Sequence, residues 1–193
     1  MNIKDSFKTY QGQAIRLRPL QAEDAEITFK WRSSDRAHLL NKGSSTVQQQ
    51  AQWIASRPEN EMNFIIETKN EKPVGMISLI KIDQQNKSAE SARFLIGEEE
   101  AVKGIPAAVE AMLLLYCLAF EELKLNRVFG TIAEQNKLMI KWQKYLGMQQ
   151  EGVLRQHYCI DNEFQNAVVM GILKDEFVQT ARKKMMTLAR FKI

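Results

Sequence analysis

The chain has 193 residues, 45% hydrophobic and 26% charged, which is enough apolar content for one sizeable core and too much for a disordered chain. It holds no uninterrupted apolar run of about 18 residues, and its opening Met1-Asn-Ile-Lys-Asp-Ser6 lacks the charged-then-apolar layout of a signal peptide, so no membrane partner and a cytoplasmic location are expected. The net charge of +4 is concentrated at one end: residues 177–193 hold Arg182, Lys183, Lys184, Arg190 and Lys192 with no acid, and +4 less these five leaves residues 1–176 at −1, so no nucleic-acid partner is expected.

In chain order, Ile15 and Leu17 alternate with Arg16 and Arg18 up to Pro19, which predicts a first strand. The acids Glu23, Asp24 and Glu26 then favour the first turn of a helix running to about Arg32. Thr46 is suited to cap a second helix over 47–54. Residues 62–68 and 73–82 are β-rich runs joined by a polar turn, and a second turn at 83–87 leads to 89–97, completing an antiparallel meander. Gly104 to Pro106 then opens onto a long apolar helix, with Val109, Met112, Tyr116, Phe120 and Leu123 at helical spacing and Pro106 at its first position. A strand over 127–133, a helix over 136–146 headed by Asn136 and stopped by Gly147, and a last strand pair over 153–158 and 167–173 follow. That last pair is linked across Asp161-Asn162.

The order is α/β: a mostly antiparallel sheet of about seven strands, with a helical crossover that makes 89–97 and 127–133 a parallel pair. Residues 1–176 form a single domain, and 177–193 a basic helical tail whose Phe177, Ala181, Met185 and Leu188 share one face. That face packs on the same chain or on a dimer mate. Cys117 and Cys159 read as small buried hydrophobes. With only His38 and His157, and no paired Cys/His spacing, no metal site is expected. The turn before the long helix presents backbone N–H groups at a helix N-terminus, which is a place to hold a pyrophosphate.

These pieces together resemble the GNAT superfamily of N-acetyltransferases, in the branch that contains ribosomal-protein-alanine, spermidine and nucleotide-amino-sugar acetyltransferases. The resemblance rests on Ala89-Glu90 ahead of Phe94-Leu-Ile-Gly97, on Lys103-Gly104 with Glu110-Ala111, on Asn136 with Leu146-Gly147, and on Met170-Gly-Ile-Leu173. It implies acetyl-coenzyme A as donor, a primary amine as acceptor, and direct transfer without a covalent enzyme intermediate. Its implied donor site is the gap between the two parallel strands. There Phe94, Leu95 and Ile96 supply backbone partners to the pantetheine arm, and Lys103, Gly104, Ile105, Ala107 and Ala108 hold the pyrophosphate. Asn136 stands near the pantetheine arm, or caps its own helix.

By the same resemblance Glu90 is the candidate base that takes the ammonium proton, with His157 as runner-up. The acceptor pocket is expected to draw on Trp31, Arg32, His38, Trp53 and Tyr158. The Trp31-Arg32 pair and Trp53 resemble enzymes acting on nucleotide-linked amino sugars, where an aromatic stacks on the base and an arginine holds the diphosphate. A protein N-terminus is the competing acceptor, and a non-catalytic acyl-coenzyme A binding module the competing class. Two departures favour the module: Pro106 removes one phosphate-loop donor, and Gln143 stands where many relatives place the tyrosine that protonates the leaving thiolate. Tyr145, two residues on, points about 200° away around the helix.

Overall fold

The computed structural model describes residues 6–40 and 43–189. Eight strands form one sheet in the order β1-β2-β3-β4-β5-β6-β8-β7. They are β1 (Tyr10–Gln11), β2 (Ile15–Pro19), β3 (Met62–Thr68), β4 (Pro73–Asp83), β5 (Ser88–Ile96), β6 (Arg127–Ala133), β7 (Gln149–Ile160) and β8 (Glu163–Leu173). The strand beyond the seven expected is the two-residue β1, which pairs Tyr10 with Leu17 at the sheet edge and is too short to leave a periodic signal. Every neighbouring pair is antiparallel except β5 and β6. The hairpin turn at Asp161 and Asn162 has both residues at positive φ, 52° and 64°, a conformation these two side chains tolerate and the right-handed twist of a two-residue hairpin needs.

The helices are α1 (Ala25–Arg32), α2 (Val47–Ala55), α3 (Ala107–Cys117), α4 (Lys137–Tyr145), and the C-terminal α5 (Lys174–Glu176) and α6 (Arg182–Ala189). Thr46 caps α2 by accepting from Gln49 N at 3.1 Å. Helix α1 is locked onto α2 through buried Gln50, whose Nε2 donates to Thr28 Oγ1 at 3.0 Å. Helix α3 runs into a π-helical turn, Leu118–Glu122, and a second such turn, Phe177–Ala181, joins α5 to α6. The two π turns meet: Phe177 stacks on Phe120 at 5.1 Å and meets Tyr116 edge-on at 5.8 Å.

The C-terminal segment therefore packs on its own chain. Phe177, Ala181 and Met185 are fully buried in the main core, with Leu188 packed against it. Burying a ring such as Phe177 stabilises by roughly 2–3 kcal/mol. Two of the tail's cations find partners inside the chain, Arg182 with Glu121 at 2.9 Å and Lys184 over the Tyr145 ring at 3.6 Å. Arg190 and Lys192 lie outside the described residues. Cys117 is partly buried, and burial pushes its thiol up to about 11, which leaves it unreactive at neutral pH. Cys159 is exposed, against expectation, because β7 is the sheet edge and carries no layer outside it.

One buried carboxylate fixes how the chain enters the sheet. Glu110, in the first turn of α3, is 3% exposed and accepts from three successive backbone amides, those of Gln13, Ala14 (2.9 Å) and Ile15 (3.0 Å). These amides lead into β2, so the clamp ties the first long strand to the helix that crosses over the sheet. Among the described residues no helix is long and apolar enough to cross a membrane.

Candidate active site

The parallel ladder between β5 and β6 is only three pairs long: Ser88 with Arg127, Ala89 with Val128, and Glu90 with Phe129. Beyond them Ser91 Oγ still reaches Phe129 O at 3.5 Å, and then the strands part. The divergence has a local cause in β5. Its pairing with β4 skips one residue between Ala92 and Leu95, and Arg93 sits at φ 55°, a bulge that bends the strand. A cleft of about 560 Å³ fills the gap, lined on one side by Glu90, Phe94, Thr131 and Tyr158 and on the other by Arg32 and Trp53.

Glu90 lies at the last rung of the ladder and is 7% exposed. Its Oε1 accepts from Thr131 Oγ1 at 3.3 Å, and Thr131 Oγ1 is 2.6 Å from the Tyr158 hydroxyl. This chain of three polar side chains runs from β5 across β6 to β7. Burial, with the Glu90 charge as a smaller cause, raises the Tyr158 phenol above its ordinary range. Tyr158 is aimed inward by a bulge in β7, where Arg155, Gln156 and His157 stand opposite the single residue Asn166 and Gln156 has φ 51°. His157 is exposed but also lines the cleft, with its ring 4.8 Å from that of Tyr158.

The second Glu90 oxygen, Oε2, has Lys81 Nζ at 2.7 Å. The ammonium comes in at ion-pair distance but off the hydrogen-bonding direction, so this buried oxygen has no aligned donor among the described residues. Lys81 sits on a bulge of β4 at φ 50° and its side chain is 69% exposed.

On the far wall, α1 separates two residues that the sequence grouped together. Trp31 shares a face with Ala25 and Thr28, is 1% exposed, and packs against Ile65, Met76 and Leu95. A Cβ on Gly97 would meet its ring at 2.2 Å, and its Nε1 donates to Glu98 at 3.0 Å. Trp31 is therefore a core residue, while Arg32, about 100° further round the helix, reaches the cleft. Burial and the like charge of Arg93 both hold the Arg32 guanidinium below its ordinary value. Trp53 lines the cleft with Arg57 and Arg93 over its ring, at 4.1 and 5.0 Å. His38 does not line the cleft: it is exposed, with Nδ1 2.6 Å from Asp35 O.

The expected phosphate loop has Gly104 at φ 80°, which only a glycine adopts without strain, but it starts its helix one residue later than the sequence suggested. Pro106 is the N-cap, and α3 begins at Ala107. The Ile105 amide donates to Val102 O at 3.0 Å and so is already engaged, which removes it from the expected anion donors. The amides of Ala107 and Ala108 open the helix and remain suited to an anion, with Lys103 and Gly104 just ahead of them. In β5, Phe94 lines the cleft while the Leu95 and Ile96 side chains are buried, and the Ile96 carbonyl accepts from Arg36 Nε at 3.2 Å. Asn136 does two things at once: its Oδ1 caps α4 through Met139 N at 3.1 Å, and the residue lines the cleft. Gln143 also lines it and is bonded to the buried Tyr116 hydroxyl at 3.4 Å, while Tyr145 is exposed elsewhere.

Thr131, Lys81 and Arg93 were not anticipated. Thr131 was within reach, since its β6 position faces the same side as Phe129, opposite Glu90. Lys81 and Arg93 owe their placement to bulges without a glycine to mark them. Among the described residues no group of three or more His, Cys, Asp or Glu could hold a metal ion.

Comparison with known proteins agrees with this architecture. Over 93% of its length the chain is 23% identical to the spermidine N(1)-acetyltransferase of Escherichia coli K12, covering 96% of that protein. It is 36% identical, over 53% of its length and 55% of the relative's, to Bacillus subtilis YdaF, provisionally named a ribosomal N-acetyltransferase. A GCN5-related N-acetyltransferase from Brucella melitensis superposes with a TM-score of 0.80 at 23% identity, covering 95% of this chain and 86% of that one. The family model of the GNAT acetyltransferase domain matches residues 14–149, about seven-tenths of the sequence and the whole span from β2 to the start of β7. With the splayed β5–β6 pair and the crossover helix between them, this chain belongs to the GNAT acetyltransferase family and is an N-acetyltransferase enzyme.

Proposed function

We propose that the enzyme passes the acetyl group of acetyl-coenzyme A directly to the primary amine of a small acceptor that also carries an anion, a nucleotide-linked amino sugar being the class that suits the cleft. The observation that carries this reading is charge. Among the described residues lining the cleft, Arg32, Lys81 and Arg93 are the lysine and arginine cations and Glu90 the one acid; Lys81 is paired with Glu90 and Arg93 with Glu61 at 2.9 Å, and Arg32 is desolvated beside the Arg93 guanidinium. A phosphate or diphosphate placed there relieves that repulsion. A polyamine would add positive charge to it, even though three of the relatives are named spermidine N(1)-acetyltransferases. Trp53 is already covered by two guanidiniums, so a nucleobase stacking on it would share or displace them.

In this reading Glu90, buried at the head of the gap, takes the proton that frees the amine for attack. His157 at the exposed rim is the weaker candidate. The thioester carbonyl receives the amine nitrogen, and the thiolate leaves with a proton from solvent or from the Tyr158 hydroxyl, since the Gln143 amide is not an acid. The donor lies along the open edge of β5, with its pyrophosphate at the amides that begin α3 and Asn136 beside the pantetheine arm.

The test is thiol release from acetyl-coenzyme A with nucleotide amino sugars, polyamines and N-terminal peptides offered in parallel. Saturable turnover is expected with the nucleotide amino sugars, and Arg32→Gln should raise their KM about tenfold with little change in kcat, the loss of one charge-assisted hydrogen bond. Saturable turnover of spermidine, unchanged in Arg32→Gln, would overturn the anionic-acceptor reading. Turnover of peptides alone would move the acceptor to a protein N-terminus.

A further inference from the structure

Lys81 holds a primary amine against the carboxylate proposed above as the base. Its Nζ is 2.7 Å from Glu90 Oε2, inside the ion-pair range, and both residues line the cleft at the point where β5 and β6 part. The position is built into the strand: the β4 bulge at φ 50° carries Lys81 toward β5, in a conformation that a non-glycine residue seldom adopts. Glu90 Oε2 is buried without an aligned donor, so this ammonium is its only close cation among the described residues, and it is held loosely by a largely exposed side chain. The same oxygen is the one an acceptor ammonium would approach.

We infer that Lys81 is an intramolecular acceptor, and that the enzyme acetylates this lysine when acetyl-coenzyme A is bound and no external amine occupies the cleft. The inference rests on the reading of Glu90 as the base of acetyl transfer. The Lys81 ammonium gives one proton to the Glu90 carboxylate, which later passes it to water. The neutral Nζ attacks the thioester carbonyl carbon, the C–N bond forms and the C–S bond breaks, and a second proton from nitrogen ends on the thiolate. Nε-acetyl-Lys81 and free coenzyme A are the products, and no other reactant is required. Acetylation removes the cation beside Glu90, so the carboxylate meets the next acceptor without an internal competitor.

The experiment needs no knowledge of the natural acceptor. Purified protein is incubated with acetyl-coenzyme A alone, and acetylation is followed by intact mass and located by peptide mapping, with donor binding measured separately by calorimetry. The expected result is one acetyl group on Lys81, formed at a rate per molecule that does not change with protein concentration. That rate should exceed the rate at other exposed lysines such as Lys103 at least tenfold, fall to their level in Glu90→Gln, and leave no single favoured site in Lys81→Arg. Equal labelling of Lys81 and the other exposed lysines, or undiminished labelling of Lys81 in Glu90→Gln, would mark it as ordinary chemical acetylation and overturn the inference. Donor binding with Lys81 left unmodified would overturn it while leaving the proposed function intact. Absence of donor binding would overturn both.

Discussion

Glu90→Gln is expected to lower kcat at neutral pH by about 100-fold or more, the usual contribution of a positioned general base. The substitution preserves shape and still allows a bond with Thr131, so binding of the donor should change little. What it removes is a proton acceptor at the mouth of the β5–β6 gap, where Glu90 is 7% exposed and faces Lys81 at 2.7 Å. The defect should also depend on pH in one direction. An amine resembling lysine titrates near 10, so each unit of rising pH supplies roughly tenfold more neutral amine without help from the enzyme, and the gap between variant and wild type should narrow toward pH 9. A variant impaired through misfolding would show no such recovery. A kcat within about threefold of wild type across this range would remove Glu90 from the chemistry and return the role to His157.

The largest stability effect is expected at Glu110→Ala. Three backbone amides, at Gln13, Ala14 and Ile15, lose their shared acceptor, and a buried unpaired donor costs about 1–3 kcal/mol. Water can reach the Gln13 end, so the sum is nearer 3–4 kcal/mol than the full additive figure. For a chain of this length that corresponds to a fall in Tm of about 10 °C, measurable by thermal unfolding with and without acetyl-coenzyme A. Glu110→Gln keeps one good acceptor oxygen and should lose roughly half as much. A change below about 1 kcal/mol in Glu110→Ala would mean that these amides find other partners, and that β2 does not depend on the helix that crosses over it.

Nearly every strand was legible because alternation and turn chemistry agree along the chain. Asp161-Asn162, the β3–β4 turn and the Thr46 cap all mark their elements locally. The cleft lining was legible where one residue type carries the position: Glu90, Asn136 and Tyr158 all line it. It was not legible where the backbone departs from regular geometry. Arg93 and Lys81 adopt positive φ without the glycine that would announce it, so the bulges that open the gap and deliver Lys81 leave no mark in the sequence. Trp31 and Arg32 show a second limit: adjacent letters on a helix face different neighbours, and Trp31 belongs to the core under Gly97 while Arg32 belongs to the cleft. Ile105 shows a third, since its amide is spent on Val102 by a turn that only coordinates reveal.

Three rungs of parallel pairing are a narrow seam for a sheet of eight strands. Above that seam the leaf formed by β1 to β5 and the leaf formed by β6 to β8 share no backbone ladder, and each keeps its own antiparallel register. On the proposed seating, a donor molecule threaded along the gap would act as the missing rungs, splinting two half-sheets that the polypeptide leaves unstitched, and the co-substrate would then be a structural member of the loaded enzyme as well as its reagent.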